Sequence, residues 1–220
     1  MTFSILAQDP GSGAFGGAAA TGSLCVGGWV LRGDSRAGLS ASQGAAPSTL
    51  WGEDALALMR EGHCATEVVE QLSQADHGRD WRQLAVLDRN GMTACHTGAQ
   101  NTNWKGAFAT AGLVVSGNLL TGPEVLEALR DGFLGAAGPL PERLLAALHA
   151  AEAAGGDRRG LQSAALLVVA DHAPPLTLRV DWSETPLAAL EALYLRSQSG
   201  DYAAWLPRVP TRADPTRGQE

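Results

Sequence analysis

The fold class this sequence predicts is an α+β sandwich: two antiparallel sheets face to face, with helix pairs on the outside. Three observations carry it. Strand-like and helix-like segments come in blocks, not in the strand–helix alternation of a doubly wound sheet. The opening segment alternates apolar and polar residues as a strand paired within a layered sheet does. Compact turn signals join the strand-like segments, as hairpins require. The block order is strands, two helices, strands, two helices, strands and one helix, which stacks as four layers, αββα.

Each element has its own local reason. In residues 2–8, Phe3, Ile5 and Ala7 share one face, and Thr2, Ser4 and Leu6 the other. Asp9-Pro10-Gly11-Ser12-Gly13 then forces a turn. Strands are expected at about 14–20, 25–31 and 37–43. The stripe Trp51, Ala55, Leu58 and Met59 predicts a helix over 51–61, and Ala65, Val68, Val69 and Leu72 predict another over 65–74. Residues 84–87 run into the turn Asp88-Arg89-Asn90-Gly91, and 92–97 pair back. Two short strands broken at Gly112 follow within 107–117. Pro123 and Pro141 open the second helix pair. Residues 164–170 form a continuous apolar run, which predicts a central, buried strand beside 176–180. A last helix starts at Thr185-Pro186. The Pro-, Arg- and Asp-rich stretch 207–220 predicts a disordered tail.

Composition narrows the function classes. The chain has 220 residues, 45% of them hydrophobic, which suits one domain over residues 1–200 with a sizeable core. Its net charge is −7 with no Lys/Arg cluster, so no nucleic-acid partner is expected. No apolar run approaches the ~20 residues that span a bilayer. There is no basic-then-apolar secretory leader, and the three cysteines (Cys25, Cys64, Cys95) are odd in number and far apart. A cytoplasmic protein with free thiols is the expectation, with no membrane partner. The five histidines and three cysteines show no paired ligand spacing, so neither metal nor cofactor is expected. No phosphate loop or G-x-S-x-G elbow occurs. For assembly, a homodimer is the default, on the frequency of two-fold oligomers alone.

The candidate chemistry starts at the second residue. If Met1 is removed, Thr2 carries a hydroxyl nucleophile and a free α-amine, whose reference pKa of about 8 lets it act as base for its own side chain. The plain alternative is a threonine at a strand end behind an intact Met1. Asn118, after Gly117, offers an amide to an oxyanion, a contact worth ~3 kcal/mol where it has been measured, or serves as a turn residue. Asp157, Arg158 and Arg159 lie between glycines. One Arg is expected to clamp a carboxylate while Asp157 orients it, or the loop is merely solvated. Gln162 and Ser163 enter an apolar strand and need partners there. Ser42 and Gln43 end a strand expected near the first one. His96 stands between Cys95 and Thr97 as an acid–base group or a structural histidine.

Several segments together resemble the DUF1028 family, a bacterial family placed in the N-terminal-nucleophile hydrolase superfamily with no known substrate. They are MTFSILAQDP (1–10), SASQG (40–44), RQLAVLDRNGMTACHTG (82–98), SGNLLTG (116–122) and AAGGDRRGLQSAALLVV (153–169). The resemblance covers about residues 1–195. It is loose over 20–30 and more divergent after Asp181, and the peptidoglycan-binding role of longer relatives is not expected of this chain. It implies the αββα architecture and strengthens the catalytic reading of Thr2. The expected activity is hydrolysis of a small linear amide or ureido C–N bond, with Thr2 and Asn118 catalytic. Ser42, Gln43, His96, Asp157, Arg158, Arg159, Gln162 and Ser163 would surround a small-molecule substrate. The alternative from another class is a non-catalytic sandwich that binds a small acidic ligand or assembles.

Overall fold

The structure, a computed structural model, describes residues 2–218. In chain order the strands and helices are β1 (Thr2–Gln8), β2 (Phe15–Thr21), a short α1 (Val26–Trp29), β3 (Leu31–Asp34), β4 (Gly38–Gly44), α2 (Thr49–Glu61), α3 (Ala65–Ala75), β5 (Arg82–Asp88) and β6 (Thr93–Thr97). There follow β7 (Gly106–Thr110), β8 (Leu113–Gly117), α4 (Glu124–Gly135), α5 (Leu140–Ala153), β9 (Ser163–Val169), β10 (Leu176–Val180), α6 (Pro186–Ser197) and α7 (Gly200–Trp205).

Two antiparallel sheets form. One runs β10-β9-β2-β1-β8-β7 and the other β3-β4-β5-β6. Three separate apolar cores show that the layers number four. Phe3, Ile5 and Ala7 of β1 pack outward with Val125, Leu129 and Leu144 of α4 and α5. Leu6, on the opposite face of β1, joins Leu39, Ala85, Leu87 and Val114 between the sheets. Leu84 and Val86 face away from that middle core, toward Trp51, Ala55 and Val68 of α2 and α3. The period-2 alternation of each strand thus sorts its residues between a helix-facing core and a sheet-facing core.

Glycine inside β2 answers to close packing. A Cβ on Gly16 would stand 2.7 Å from a Leu144 methyl and 2.8 Å from a Leu140 methyl, so α5 lies directly on the strand there.

Residues 25–31, expected as one strand, divide into α1 and the start of β3. Cys25 takes a left-handed conformation, φ 60°, which turns the chain into the helix. Gly27 lets α1 seat on the larger sheet, since a Cβ there would stand 2.7 Å from the Ala165 Cβ and from the Arg179 stem. A short apolar run with two glycines reads equally well as strand or helix.

Residues 207–218 of the expected disordered tail make defined contacts. The Ala213 N–H donates to the Asp171 carbonyl (2.8 Å), and Arg212 reaches the buried Asp34 carboxylate (3.3 Å). Asp34 also holds Arg60 at the end of α2, 2.8 Å away. Burial alone would push the Asp34 carboxyl up. The Arg36 backbone N–H, Arg60 and Arg212 outweigh it and hold the group below the usual carboxylate range.

Candidate functional site

Thr2 begins a strand that lies fourth of six in its sheet, with β2 and β8 as neighbours. Its backbone pairs with Asn118 in both directions: Thr2 N–H donates to the Asn118 carbonyl (3.3 Å) and Asn118 N–H to the Thr2 carbonyl (3.1 Å). By the alternation of β1, its side chain shares the sheet-facing side with Ser4 and Leu6. The hydroxyl donates to Thr21 Oγ1 across the strand pair, 3.2 Å away. Thr2 is only 5% exposed, yet it lines a cavity of about 640 Å³. That volume falls in the range of small-molecule sites, ~300–1,000 Å³.

Beneath Thr2 lies a cluster of carboxamides that joins the two sheets. Gln83, from β5, is its hub. Its Nε2, with two hydrogens, lies within hydrogen-bond distance of three acceptors, Gly117 O (2.9 Å), Gly106 O (3.0 Å) and Thr97 Oγ1 (3.0 Å). Its Oε1 accepts from Gln43 Nε2 (2.7 Å) and from Asn118 Nδ2 (3.0 Å). Gln43 also reaches the Thr2 carbonyl, 3.3 Å away. Two acceptors in the cluster, Gln43 Oε1 and Asn118 Oδ1, are buried and hydrogen-bond to no described residue. Buried orphans of this kind call for an explanation. Gln43 lines the cavity, whereas Asn118 sits fully buried behind Thr2 and off the wall.

The far wall is a loop held by β9 and its approach. Asp157 is buried, and its carboxylate accepts from Gly22 N–H (2.7 Å), Arg159 N–H (2.9 Å), Arg159 Nε (3.1 Å) and an Arg159 terminal nitrogen (2.8 Å). Asp157 in turn holds the Arg159 guanidinium above its ordinary pKa. A side chain on Gly22 would strike the Gly160 carbonyl and the Asp157 carboxylate, so glycine is required at that crossing. Gln162 Nε2 donates to Gly22 O (3.2 Å), and Ser163 Oγ bridges Ser23 O (2.7 Å) and Val26 N–H (3.1 Å). Both residues brace the wall without lining the cavity. Ser23 and Leu24 line the cavity here, and their N–H groups donate to no described residue.

Of the ten expected site residues, Thr2, Gln43 and Arg159 line the cavity. Asn118, Asp157, Gln162 and Ser163 stand directly behind those wall residues. The remaining three lie elsewhere. Ser42 is one residue off in alternation, so its side chain faces α2 and donates to the Ser48 carbonyl (2.6 Å). His96 pairs in register with Leu84 and shares its helix-facing side. There it meets the edge of Trp51 (5.7 Å between ring centres) and the Arg79 carbonyl (3.0 Å). Arg158 is exposed, with its N–H on the Leu119 carbonyl (3.3 Å).

Sequence reasoning passed over Gln83, Thr21 and the apolar wall residues Leu24, Val26 and Trp29. The signal for Gln83 existed: a polar residue at a sheet-facing position in an apolar strand, the same sign that singled out Gln162. The two described non-glycine residues with positive φ, Cys25 (60°) and Leu119 (54°), also flank the site. Such conformations concentrate at functional sites. Among the described residues, no group of three or more His, Cys, Asp or Glu could hold a metal ion, and no helix is long and apolar enough to cross a membrane. Cys25, Cys64 and Cys95 are free, and burial pushes the Cys95 thiol up.

No curated protein matches the chain. The protein SPO2555 from Silicibacter pomeroyi, whose crystal structure is assigned to DUF1028, is 50% identical. It superposes with a TM-score of 0.95 over 100% of this chain and 99% of that one. The model of the family of unknown function DUF1028 matches residues 2–190. The chain therefore belongs to the DUF1028 family.

Proposed function

We propose that the protein is an N-terminal-nucleophile hydrolase of a small linear amide or ureido C–N bond, acting once Met1 has been removed. One observation carries the reading: the residue behind Met1 is a hydroxyl residue at the base of a ligand-sized cavity, on the sheet-facing side of its strand. An N-terminal threonine there holds nucleophile and base on one residue.

In this mechanism the α-amine takes the proton from Oγ1 as the oxygen attacks the substrate carbonyl. The Ser23 and Leu24 N–H groups receive the oxyanion. Consecutive amides suit that charge, and the structure spends neither of them elsewhere among the described residues. The amine returns the proton to the leaving nitrogen as the C–N bond breaks, giving an ester on Thr2. Water, activated by the same amine, adds to the ester and releases the acid, so one amide and one water become one acid and one amine. Asn118 serves from behind, by fixing the Thr2 backbone and the carboxamide floor.

The test is intact mass of protein made without an N-terminal tag, before and after an acylating electrophile. The reading expects loss of Met1, one adduct at Thr2, and turnover of an amide and ureide panel that falls at least about a thousandfold in Thr2→Ala. Unchanged hydrolysis by Thr2→Ala would sink it.

A further inference from the structure

Three chemically different features meet on the cavity wall, and together they describe a ligand. The first is Arg159, whose charged side chain is the one ionised group among the residues lining the cavity. Asp157 lies fully buried behind it and grips one edge of the guanidinium, through Nε at 3.1 Å and a terminal nitrogen at 2.8 Å, while the Arg159 side chain stays 36% exposed. A guanidinium fixed from behind is pre-organised for a carboxylate. The second is Gln43 Oε1, an acceptor on a side chain 1% exposed and without a hydrogen bond among the described residues. It asks for an N–H donor. The third is an apolar wall of Leu24, Val26, Trp29 and Pro47. Leu24 and Trp29 are 52% and 51% exposed, an uncovered pair of large apolar side chains at the rim of a cavity. Apolar surface concentrated at a concave site marks where a ligand's apolar part lies.

From this juxtaposition we infer that the cavity takes an N-acyl or N-carbamoyl α-amino acid with an apolar side chain. Its carboxylate meets Arg159, its amide N–H meets Gln43 Oε1, and its side chain lies on Leu24 and Trp29. The carbonyl bonded to that nitrogen then faces Thr2. The inference deepens the hydrolase reading and rests on it for the identity of the bond cleaved. The pattern of recognition is independent of cleavage.

The experiment separates the two. The full chain, without an N-terminal tag, is titrated with racemic N-acetylleucine, N-acetylglycine, N-acetylleucinamide and N-acetyl-N-methylleucine, binding being followed by calorimetry and free acetate by chromatography. N-acetylleucine is expected to bind at least about tenfold tighter than each of the other three, since each lacks one contact. Trp29→Ala is expected to erase the preference for leucine over glycine and keep the preference for acid over amide. Arg159→Gln is expected to do the reverse. Arg159→Lys, checked for folding by circular dichroism, covers the case in which the Gln variant collapses around an unpaired Asp157. Equal binding of the four probes by the wild-type chain, or binding of none, overturns the inference. The ranked binding pattern without acetate release supports it while removing the hydrolase reading. Acetate release at equal rates from all four retains the hydrolase reading and removes the inference.

Discussion

At the scale of single residues, what decides this site is which face of a strand a side chain occupies. Ser42 and Gln43 are adjacent in sequence, but Gln43 closes the cavity floor and Ser42 caps the approach to α2. His96 and Thr97 divide in the same way, with Thr97 alone touching the Gln83 hub. His96→Ala is accordingly expected to leave turnover and its pH profile unchanged, and to cost stability through the lost packing on Trp51. A changed pH profile in that variant would put His96 in the chemistry. Gln83→Leu is expected to be far more costly. It strands the Gln43 and Asn118 donors and the Gly106, Gly117 and Thr97 acceptors between the sheets, for roughly 2–4 kcal/mol of lost stability. Chemical denaturation measures it, and a loss under about 1 kcal/mol would show that the network is dispensable.

At the scale of elements, the sequence was legible where periodicity was long and failed where it was short. The helix pairs and the strands from 82 onward follow from stripes and alternation that many residues support. Residues 25–31 were ambiguous because four apolar positions around two glycines fit both periods, and the left-handed turn at Cys25 has no composition signal. The candidate site was legible as segments, since polar residues at strand ends and in glycine-bounded loops do gather at one end of the sandwich. Which member of each polar pair faced the cavity depended on register, which single residues cannot fix. Helix docking carries its own prediction. Tyr194 of α6 donates to Glu142 of α5 (3.2 Å), and burial first, then the Glu142 charge, pushes its phenol up to about 12. A folded-state pKa above the free value of about 10 means that the contribution is intact below that value and lost as pH rises through the folded one. Stability is therefore expected to fall between about pH 10 and 12, and Tyr194→Phe is expected to flatten that fall. An unchanged alkaline limb in the variant would contradict the assignment.

At the scale of the molecule, the four layers put the start of β1 among strand ends from both sheets, so one end of the sandwich gathers residues from β1, β2, β4 and the approach to β9. The opposite side of the chain is closed by the C-terminal segment, which Asp34 ties to α2 through Arg60 and Arg212. The folded Asp34 carboxyl lies below its free range, so this tie is present above about pH 4 and is lost as pH falls through the lower folded value. Asp34→Asn is expected to free residues 207–218 to limited proteolysis at neutral pH. Equal cleavage of variant and wild type at neutral pH would mean that the segment is held by other contacts. Composition predicted disorder here because prolines and charges are all it counts, and it has no term for a buried carboxylate elsewhere that binds them.

The burial of Thr2 sets a clock on the protein's birth. An aminopeptidase must take hold of the chain's first peptide bond, and a residue 95% hidden in a central strand leaves it little to hold. If Met1 is trimmed, the trimming belongs to the ribosome-bound or unfolded chain, before β1 pairs with β2 and β8. Molecules that fold first would keep Met1 for as long as they stay folded, so two populations from one gene, one beginning at Thr2 and one at Met1, would differ only in whether the peptidase or the sheet came first.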